Sequence, residues 1–293
     1  MPSQSLCASI PLPAHFAGWL GIGRRDTTPP VGIYARNWGA ATQDIAEFIH
    51  RPLTVTVSAL FESLASPPAL VVSLDLGWWK CRDDEHWVRG VLADSAGISI
   101  DRVFLNLSHT HAGPSVHLGD TSRPGGDRIP EYRRLLESRL REAVADAIEG
   151  REPVLARWTD GRDLVSVNRD LPDPNATHRR YLVAWNPGSD SSPSRMSVGR
   201  FCRPDGTPLA AWVQVACHPT TLGPGNRSIS PDFPGALRET VEAALGVPCQ
   251  FLQGASGDRA PIEQYSDSPE VCDRHGRSLG HAALAAWFSM PPV

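Results

Sequence analysis

The sequence predicts an α/β fold, and three observations support this prediction. Short apolar runs, several of them rich in β-branched residues and bounded by Gly, Pro or Asp, are typical of strands. Segments with apolar residues at three- and four-residue spacing alternate with these runs and are typical of amphipathic helices. The chain has 293 residues, of which 41% are hydrophobic and nine are Trp, so it can fill a sizeable core.

Eight apolar runs are predicted strands: 53–61, 69–74, 103–107, 154–158, 164–167, 196–202, 209–216 and 249–253. Four segments are predicted helices: 84–95, 130–148, 235–245 and about 268–288. The second helix has the clearest apolar face, and Gly150 follows it as a C-cap. The third begins after Pro234 and ends before Gly246, as helices commonly do.

The remaining segments are predicted to lie outside the core. Residues 1–18 are rich in Ser, Pro and Ala and are expected to form a loose lead-in. Residues 115–129 and 170–195 are rich in Gly, Pro and Ser, and loops of that length are often lids or binding loops. Because no repeat or linker divides the chain, residues 19–293 are predicted to form a single domain.

Composition excludes several classes of protein. The 28 basic and 32 acidic side chains give a net charge of −4, so nothing favours nucleic acid or an anionic membrane as a partner. Lys80 is the only lysine and lies in no lysine-dependent motif. The six cysteines include no C-x-x-C pair, no signal peptide is recognisable, and no apolar run reaches the roughly 20 residues of a transmembrane segment. A cytoplasmic location is therefore expected, while the oligomeric state cannot be inferred.

Three polar loops directly follow predicted strands. They are Ser108-His109-Thr110-His111-Ala112-Gly113-Pro114, Cys217-His218-Pro219-Thr220-Thr221 and Gly254-Ala255-Ser256-Gly257-Asp258-Arg259-Ala260-Pro261. Ligands of α/β sheets bind at the carboxyl ends of strands, so these loops are expected to converge on one site.

The first two loops carry histidines. In an extended segment His109 and His111 would face the same way, about 7 Å apart. They could share a metal, or one could bind it while the other faces a substrate; alternatively both are surface residues of a turn. With His218, metal binding is favoured, and histidine ligands suit a catalytic zinc that keeps one position open. Downstream, Asp232 is predicted either to cap a helix or to act at the metal site, as a base or as a residue that contacts a metal ligand.

The third loop is Gly-rich, and its backbone N–H groups could bind an anion or an oxyanion. It matches neither a P-loop nor the G-x-G-x-x-G fingerprint. Ser256 does not lie in a G-x-S-x-G nucleophile motif.

The ordered set of motifs resembles the neutral/alkaline (non-lysosomal) ceramidase family. The motifs are residues 21–32, Ile49-His50-Arg51-Pro52-Leu53, 108–114, Asn168-Arg169, Cys217-His218-Pro219-Thr220, Ser230-Pro231-Asp232 and Gly257-Asp258-Arg259-Ala260-Pro261. The resemblance implies mixed β-sheets flanked by helices and zinc-dependent hydrolysis of N-acylsphingosine amides. It further implies that His109 and His218 bind zinc and that His111 and Arg169 contact the substrate or the transition-state oxygen. Asp258, Asp232 or His111 is a candidate base or additional ligand.

The sequence departs from the family pattern in two respects. The Glu and Tyr that complete the family's zinc site lie further along than this chain extends, and Ala260 stands where the family has its active-site Ser. We therefore expect a zinc-dependent hydrolase in which metal-activated water attacks a small-molecule or lipid amide, with another amide or an ester favoured over ceramide itself. The alternative is a degenerate, non-catalytic binding protein that retains the fold.

Overall fold

The fold is taken from a computed structural model, which describes residues 15–175, the backbone of 181–183, and residues 194–292. The strands within these ranges are β1 (Phe16–Asp26), β2 (Phe48–Ile49), β3 (Thr54–Phe61), β4 (Ala69–Leu74), β5 (Val103–Leu107), β6 (Glu152–Asp163), β7 (Ser166–Asn168), β8 (Asp170–Pro172), β9 (Tyr181–Val183), β10 (Ser194–Cys202), β11 (Pro208–Val215), β12 (Ser228–Ile229), β13 (Cys249–Gln253) and β14 (Arg259–Pro261). The α-helices are α1 (Arg82–Ala96), α2 (Ile129–Glu149), α3 (Phe233–Leu245) and α4 (Pro269–Ser289). Short 3-10 helices cover Ile100–Arg102, Leu118–Asp120 and Gly126–Arg128.

Eight of the strands form one mixed sheet in the order β13-β11-β10-β6-β1-β3-β4-β5. The pairs β4–β5 and β11–β13 are parallel, and the other neighbours are antiparallel. Helices α1 and α2 pack on the half that contains β3 and β4, whereas α3 and α4 pack on the half that contains β10, β11 and β13. The predicted fold class, a mixed sheet flanked by helices, is confirmed.

The predicted helices are all present, each within two residues of its predicted bounds. Three predicted strands, 69–74, 103–107 and 249–253, have the same bounds in the structure. One predicted strand, 164–167, is partly wrong because residues 164–165 form a bend between β6 and β7. The loop predicted at 170–195 contains β8 and β9, and residues 176–180 and 184–193 lie outside the described residues.

Strand β1 was not predicted, and it begins at Phe16, inside the segment expected to be a loose lead-in. Residues 1–14 of that lead-in lie outside the described part of the chain, and the single-domain prediction stays a prediction. The apolar pattern of the sequence does not predict this strand, because Gly21 and Gly23 stand where it contacts α2 in place of apolar side chains. A Cβ on Gly21 would lie 1.8 Å from the carbonyl oxygen of Ala147, and one on Gly23 would lie 1.9 Å from that of Ala143. These glycines allow the helix to approach the strand backbone directly.

The sheet folds back on itself, so that its two edge strands meet. At its carboxyl end, the side chain of Asn106 on β5 hydrogen-bonds to the backbone of Gln253 on β13. Deeper in, the side-chain amide of Gln250 donates to the carbonyl of Val71 at 3.0 Å, and Ser58 donates to Gln250 at 2.5 Å. An apolar cluster that brings together residues of β1, β6, β10 and β11 with Val71 and Leu252 lies between the two halves. The carboxyl ends of β5 and β13 therefore lie side by side.

No helix in the described ranges combines the length and apolar character needed to cross a bilayer.

Candidate metal centre

The three loops predicted to converge do meet. His109 and His111 follow β5, and His218 follows β11. The Nε2 atoms of His109 and His218 lie 3.0 Å apart, and the ring of His111 is centred 5.3 Å from that of His109 and 5.4 Å from that of His218. One ring nitrogen from each histidine lies within 4.8 Å of the others. Such spacing is suitable for coordination of one metal ion.

His218 is oriented by the third loop. Its Nδ1 donates to the carbonyl of Ser256 at 2.8 Å, which leaves the Nε2 lone pair directed at the other histidines. The amide of Gln253 in turn donates to the Ser256 hydroxyl at 2.6 Å and to the carbonyl of Cys217 at 3.0 Å. Gln253 thus joins the second and third loops, while the hydroxyl and carbonyl of Ser256 are both engaged in holding them.

The backbone at His109 differs from the extended segment that was predicted. Its φ is 64°, in the left-handed region that a non-glycine residue rarely adopts. Between the two histidines, the hydroxyl of Thr110 is buried and donates to the carbonyl of Ser230 at 2.6 Å. The two imidazoles therefore reach the same site because of a local turn rather than because of strand alternation.

His111 lies between two tryptophans. Its ring is centred 4.4 Å from that of Trp38 and 5.0 Å from that of Trp78. Both ring nitrogens are shielded from solvent and have no hydrogen-bond partner in good geometry. Buried polar atoms without partners are costly, so these nitrogens are suited to a ligand that the protein itself does not supply.

The electrostatic environment keeps the three histidines neutral. Burial, reinforced by the neighbouring imidazoles, lowers the pKa of His111 to about 3, although the backbone of Asn37 offsets part of this effect. Burial also lowers the pKa of His218 to about 4 and lowers that of His109. Neutral imidazole is the form that binds a metal, so this donor set fits a divalent cation such as zinc.

Arg169 and Asp258 lie beside this cluster in different ways. Strand β14 pairs with β7, which places the Arg169 N–H 2.8 Å from the carbonyl of Asp258 and its Nε 3.0 Å from that of Gly257. The positive charge of Arg169 contributes to lowering the pKa of all three histidines. The exposed carboxylate of Asp258 instead lies 3.4 Å from the side-chain amide of Asn168.

Asp232 caps helix α3, in agreement with the first of its two interpretations. Its carboxylate accepts from the N–H of Phe233 at 2.7 Å and from that of Leu222 at 2.8 Å. Complete burial raises its pKa to about 6. These contacts use both carboxylate oxygens, so Asp232 has a structural position and does not belong to the histidine cluster.

Two features of the site were not found from the sequence. Trp38 lies in no motif, whereas Trp78 follows β4, whose carboxyl end points to the same edge as that of β5. The position of Trp78 could have been predicted by applying the strand-end rule to the segment after residue 74. Ala260 is fully buried in β14 opposite Val167, and it offers no hydroxyl to the site.

Comparison with known proteins identifies the fold. No family model matches the sequence, and no curated protein matches it. The solved structures similar to this chain include a ceramidase complexed with C2, with a TM-score of 0.71, and the neutral ceramidase from Pseudomonas aeruginosa, with a TM-score of 0.70. Each is 18% identical to this chain, and the alignments cover 94% of this chain but only 44% and 45% of those two chains. The chain has a neutral-ceramidase-like fold, as its ordered motifs predict.

Proposed function

We propose that this chain is a divergent member of the neutral ceramidase family and a zinc-dependent hydrolase of a linear amide. The observation that carries the proposal is the convergence of His109, His111 and His218 at the carboxyl end of the sheet, with the nitrogens of His111 unpartnered. Its position matches the place where α/β folds bind ligands. The likeness in fold to two ceramidases supports the reaction class.

In this proposal zinc is held by the Nε2 atoms of His109 and His218, with His111 at the third side of the site. The hydrogen bond from His218 Nδ1 to Ser256 fixes the tautomer that binding requires. Bound zinc supplies Lewis-acid activation of water and of a carbonyl group.

The residues around the histidines would position the substrate. Arg169, whose charge acts on all three imidazoles, is placed to stabilise negative charge that develops on the carbonyl oxygen. His111 is placed to contact the same oxygen or to complete the metal site. The rings of Trp38 and Trp78 form an apolar wall beside His111 that is suited to an acyl chain.

The substrate class follows from the same site. Because Ala260 replaces the family's Ser, a mechanism that depends on that hydroxyl is not available to this chain. We propose hydrolysis by metal-activated water of a small-molecule or lipid amide, including N-acylsphingosine and related N-acyl compounds, with a non-ceramide amide or an ester favoured. Asp258, whose carboxylate is exposed, is a candidate base.

A non-catalytic binding protein is the second candidate. It is favoured by Ala260, which offers no hydroxyl where the family has its active-site Ser. This candidate predicts weak metal binding and no turnover.

Metal analysis separates the two candidates. Purified protein should contain zinc at the histidine cluster, and His109→Ala and His218→Ala should each contain about one zinc per chain fewer than the wild type. His281→Ala, which changes an exposed histidine on α4, is the matched control and should keep its zinc. The zinc-loaded protein should then hydrolyse members of a panel of N-acyl amides, esters and a fluorescent ceramide, and His109→Ala should reduce any activity at least about 100-fold. A wild-type protein without stoichiometric zinc, or unchanged activity in His109→Ala, would refute the proposal.

A further inference from the structure

A second group of metal-ligand side chains lies at the N-terminus of α1, outside the histidine cluster. The thiol sulfur of Cys81 lies 3.3 Å from Oδ2 of Asp84 and 3.7 Å from Nδ1 of His117. The same Oδ2 lies 2.9 Å from the same Nδ1. Three atoms of different ligand types therefore form a small triangle.

Local structure explains why these atoms meet. Cys81 is the N-cap residue of α1, but its side chain makes no capping hydrogen bond to the helix backbone. Asp84 lies three residues later, in the first helical turn, where its side chain returns toward the cap. His117 immediately precedes the short helix Leu118–Asp120 and approaches from the loop that follows the histidine cluster.

The carboxylate of Asp84 is fixed so that one oxygen stays directed at this triangle. Arg133 Nη1 donates to Oδ1 of Asp84 at 3.0 Å and to the carbonyl of Val116 at 2.8 Å. Asp84 is only 5% exposed, so its orientation is well constrained. Outer contacts of this kind orient carboxylate ligands in metal sites.

A chemically similar group elsewhere shows what a purely structural network looks like. Around His50, both oxygens of Asp273 are bound by Arg51, at 3.0 Å and 2.8 Å. The imidazole itself is engaged by Ser230 through Nδ1, at 3.0 Å. The thiol of Cys272 is buried and donates to the cap residue of α3, and burial raises its pKa well above the ordinary range. In that group Arg51 holds both oxygens of the carboxylate and the thiol binds a separate buried carboxylate, whereas the ligand atoms of Cys81, Asp84 and His117 contact one another.

We propose that Cys81, Asp84 and His117 form a second metal site, which takes a divalent transition metal of the zinc class. In a tetrahedral zinc site, ligand atoms about 2.0–2.3 Å from the metal lie roughly 3.3–3.6 Å from one another. The distances of 2.9, 3.3 and 3.7 Å approach this arrangement. A thiolate and an imidazole select zinc, cobalt or copper over magnesium and calcium. On binding, the Cys81 thiol releases one proton to solvent, and neutral His117 carries its proton on Nε2.

A metal here would join the two segments that surround the histidine cluster. Cys81 lies three residues after Trp78, and His117 lies six residues after His111. Trp78 packs against His109 and His111 and also lines a small pocket with Asp84 and His117. A metal at the second site would therefore fix the position of Trp78, which forms part of the apolar wall beside His111.

Cobalt titration of the full chain tests the proposal, because thiolate ligation gives a strong near-ultraviolet charge-transfer band. The histidine cluster contains no sulfur ligand, and the neighbouring thiol of Cys217 is fully buried with its pKa raised well above the ordinary range. Wild-type protein should show the band once both sites are filled with cobalt. The double variant His109→Ala/His218→Ala should keep the band and lose one equivalent of bound metal.

Variants of the triangle give the converse result. Cys81→Ser should abolish the band, and Asp84→Asn should weaken cobalt binding at this site about tenfold or more. Asp83→Asn, which changes an exposed carboxylate one residue earlier on α1, is the matched control and should leave the band unchanged. His117→Asn, at a partly exposed position, provides a second test if Cys81→Ser loses its fold by circular dichroism. A wild-type protein that shows no band at saturating cobalt, or a band that survives in folded Cys81→Ser or His117→Asn, would overturn the proposal.

Discussion

The side-chain amide of Asn106 forms two hydrogen bonds with the backbone of Gln253: Nδ2 donates to the carbonyl at 3.0 Å, and Oδ1 accepts from the N–H at 2.8 Å. The Asn106 side chain thereby makes the pair of hydrogen bonds that the backbone of a neighbouring strand would make, and it joins the two edge strands of the sheet. Because Gln253 also binds the loops that carry Ser256 and Cys217, this contact links the sheet closure to the position of His218.

Replacing Asn106 by Leu should lower the free energy of unfolding by about 2–3 kcal/mol, since two backbone groups lose their partners. It should also weaken zinc binding, because the second and third loops lose their anchor. Phe104→Ala changes an exposed residue on the same strand and should alter stability by less than about 0.5 kcal/mol. Urea denaturation of the metal-free proteins measures the two stabilities, and a zinc titration of each variant measures binding. Equal stabilities of the two variants would contradict this role for Asn106.

Gly21→Ala should destabilise the fold by about 3 kcal/mol or more, because its new Cβ would overlap the carbonyl of Ala147 in α2. Gly90→Ala is a matched control on helix α1, where a Cβ meets nothing within 4 Å. That substitution should stabilise the protein by about 0.4–1 kcal/mol. Thermal melting distinguishes the two results, and a neutral Gly21→Ala would show that α2 can move away from β1.

The buried ion pair between Arg238 and Asp75 joins α3 to the end of β4, at 2.7 Å and 3.0 Å. Arg238→Met should cost about 3–5 kcal/mol, because it leaves a buried carboxylate without its counter-ion. Adding Asp75→Asn to that variant should restore part of the loss, since the amide can still accept from the N–H of Thr54. A double-mutant cycle by urea denaturation measures the coupling, and strictly additive effects would argue against it.

His111→Leu should make the metal-free protein more stable by about 1 kcal/mol at pH 7, since it removes two buried nitrogens without partners. The advantage should increase as the pH falls. The pKa of His111 is about 3 in the folded protein, whereas an unfolded histidine titrates near 6.5, so the unfolded wild type takes up a proton first. Stability linked to His111 is therefore complete above about pH 6.5 and is lost progressively toward pH 3. Unfolding measured at pH 7, 6 and 5 in both proteins checks this, and a constant difference would contradict it.

Much of the fold could be predicted from the local patterns of apolar residues, because apolar residues stand where a strand or helix is buried. The runs at 69–74, 103–107 and 249–253 consist of buried or half-buried residues, with Phe104 as the one exposed residue among them. Strand β1 was missed because close packing against α2 selects glycine at Gly21 and Gly23 rather than bulky side chains.

The candidate site could be predicted in part because its residues directly follow predicted strands. The rule that ligands bind at the carboxyl ends of strands correctly grouped His109, His111 and His218. It could not give the left-handed backbone of His109 or the contacts of Asp232, which depend on tertiary packing. Nor could it reveal that the sheet closes through Asn106, because that contact spans 147 positions of the chain.

His109 and His218 belong to opposite halves of the sheet and are separated by 109 positions. A metal ion shared between them would act as a removable cross-link across a very long loop. Such a link lowers the entropy of the unfolded chain by an amount comparable to that of a disulfide, about 4–5 kcal/mol for a loop of this length. Bound metal would then favour unfolding of the two halves in one cooperative step, and metal-free protein could unfold one half after the other.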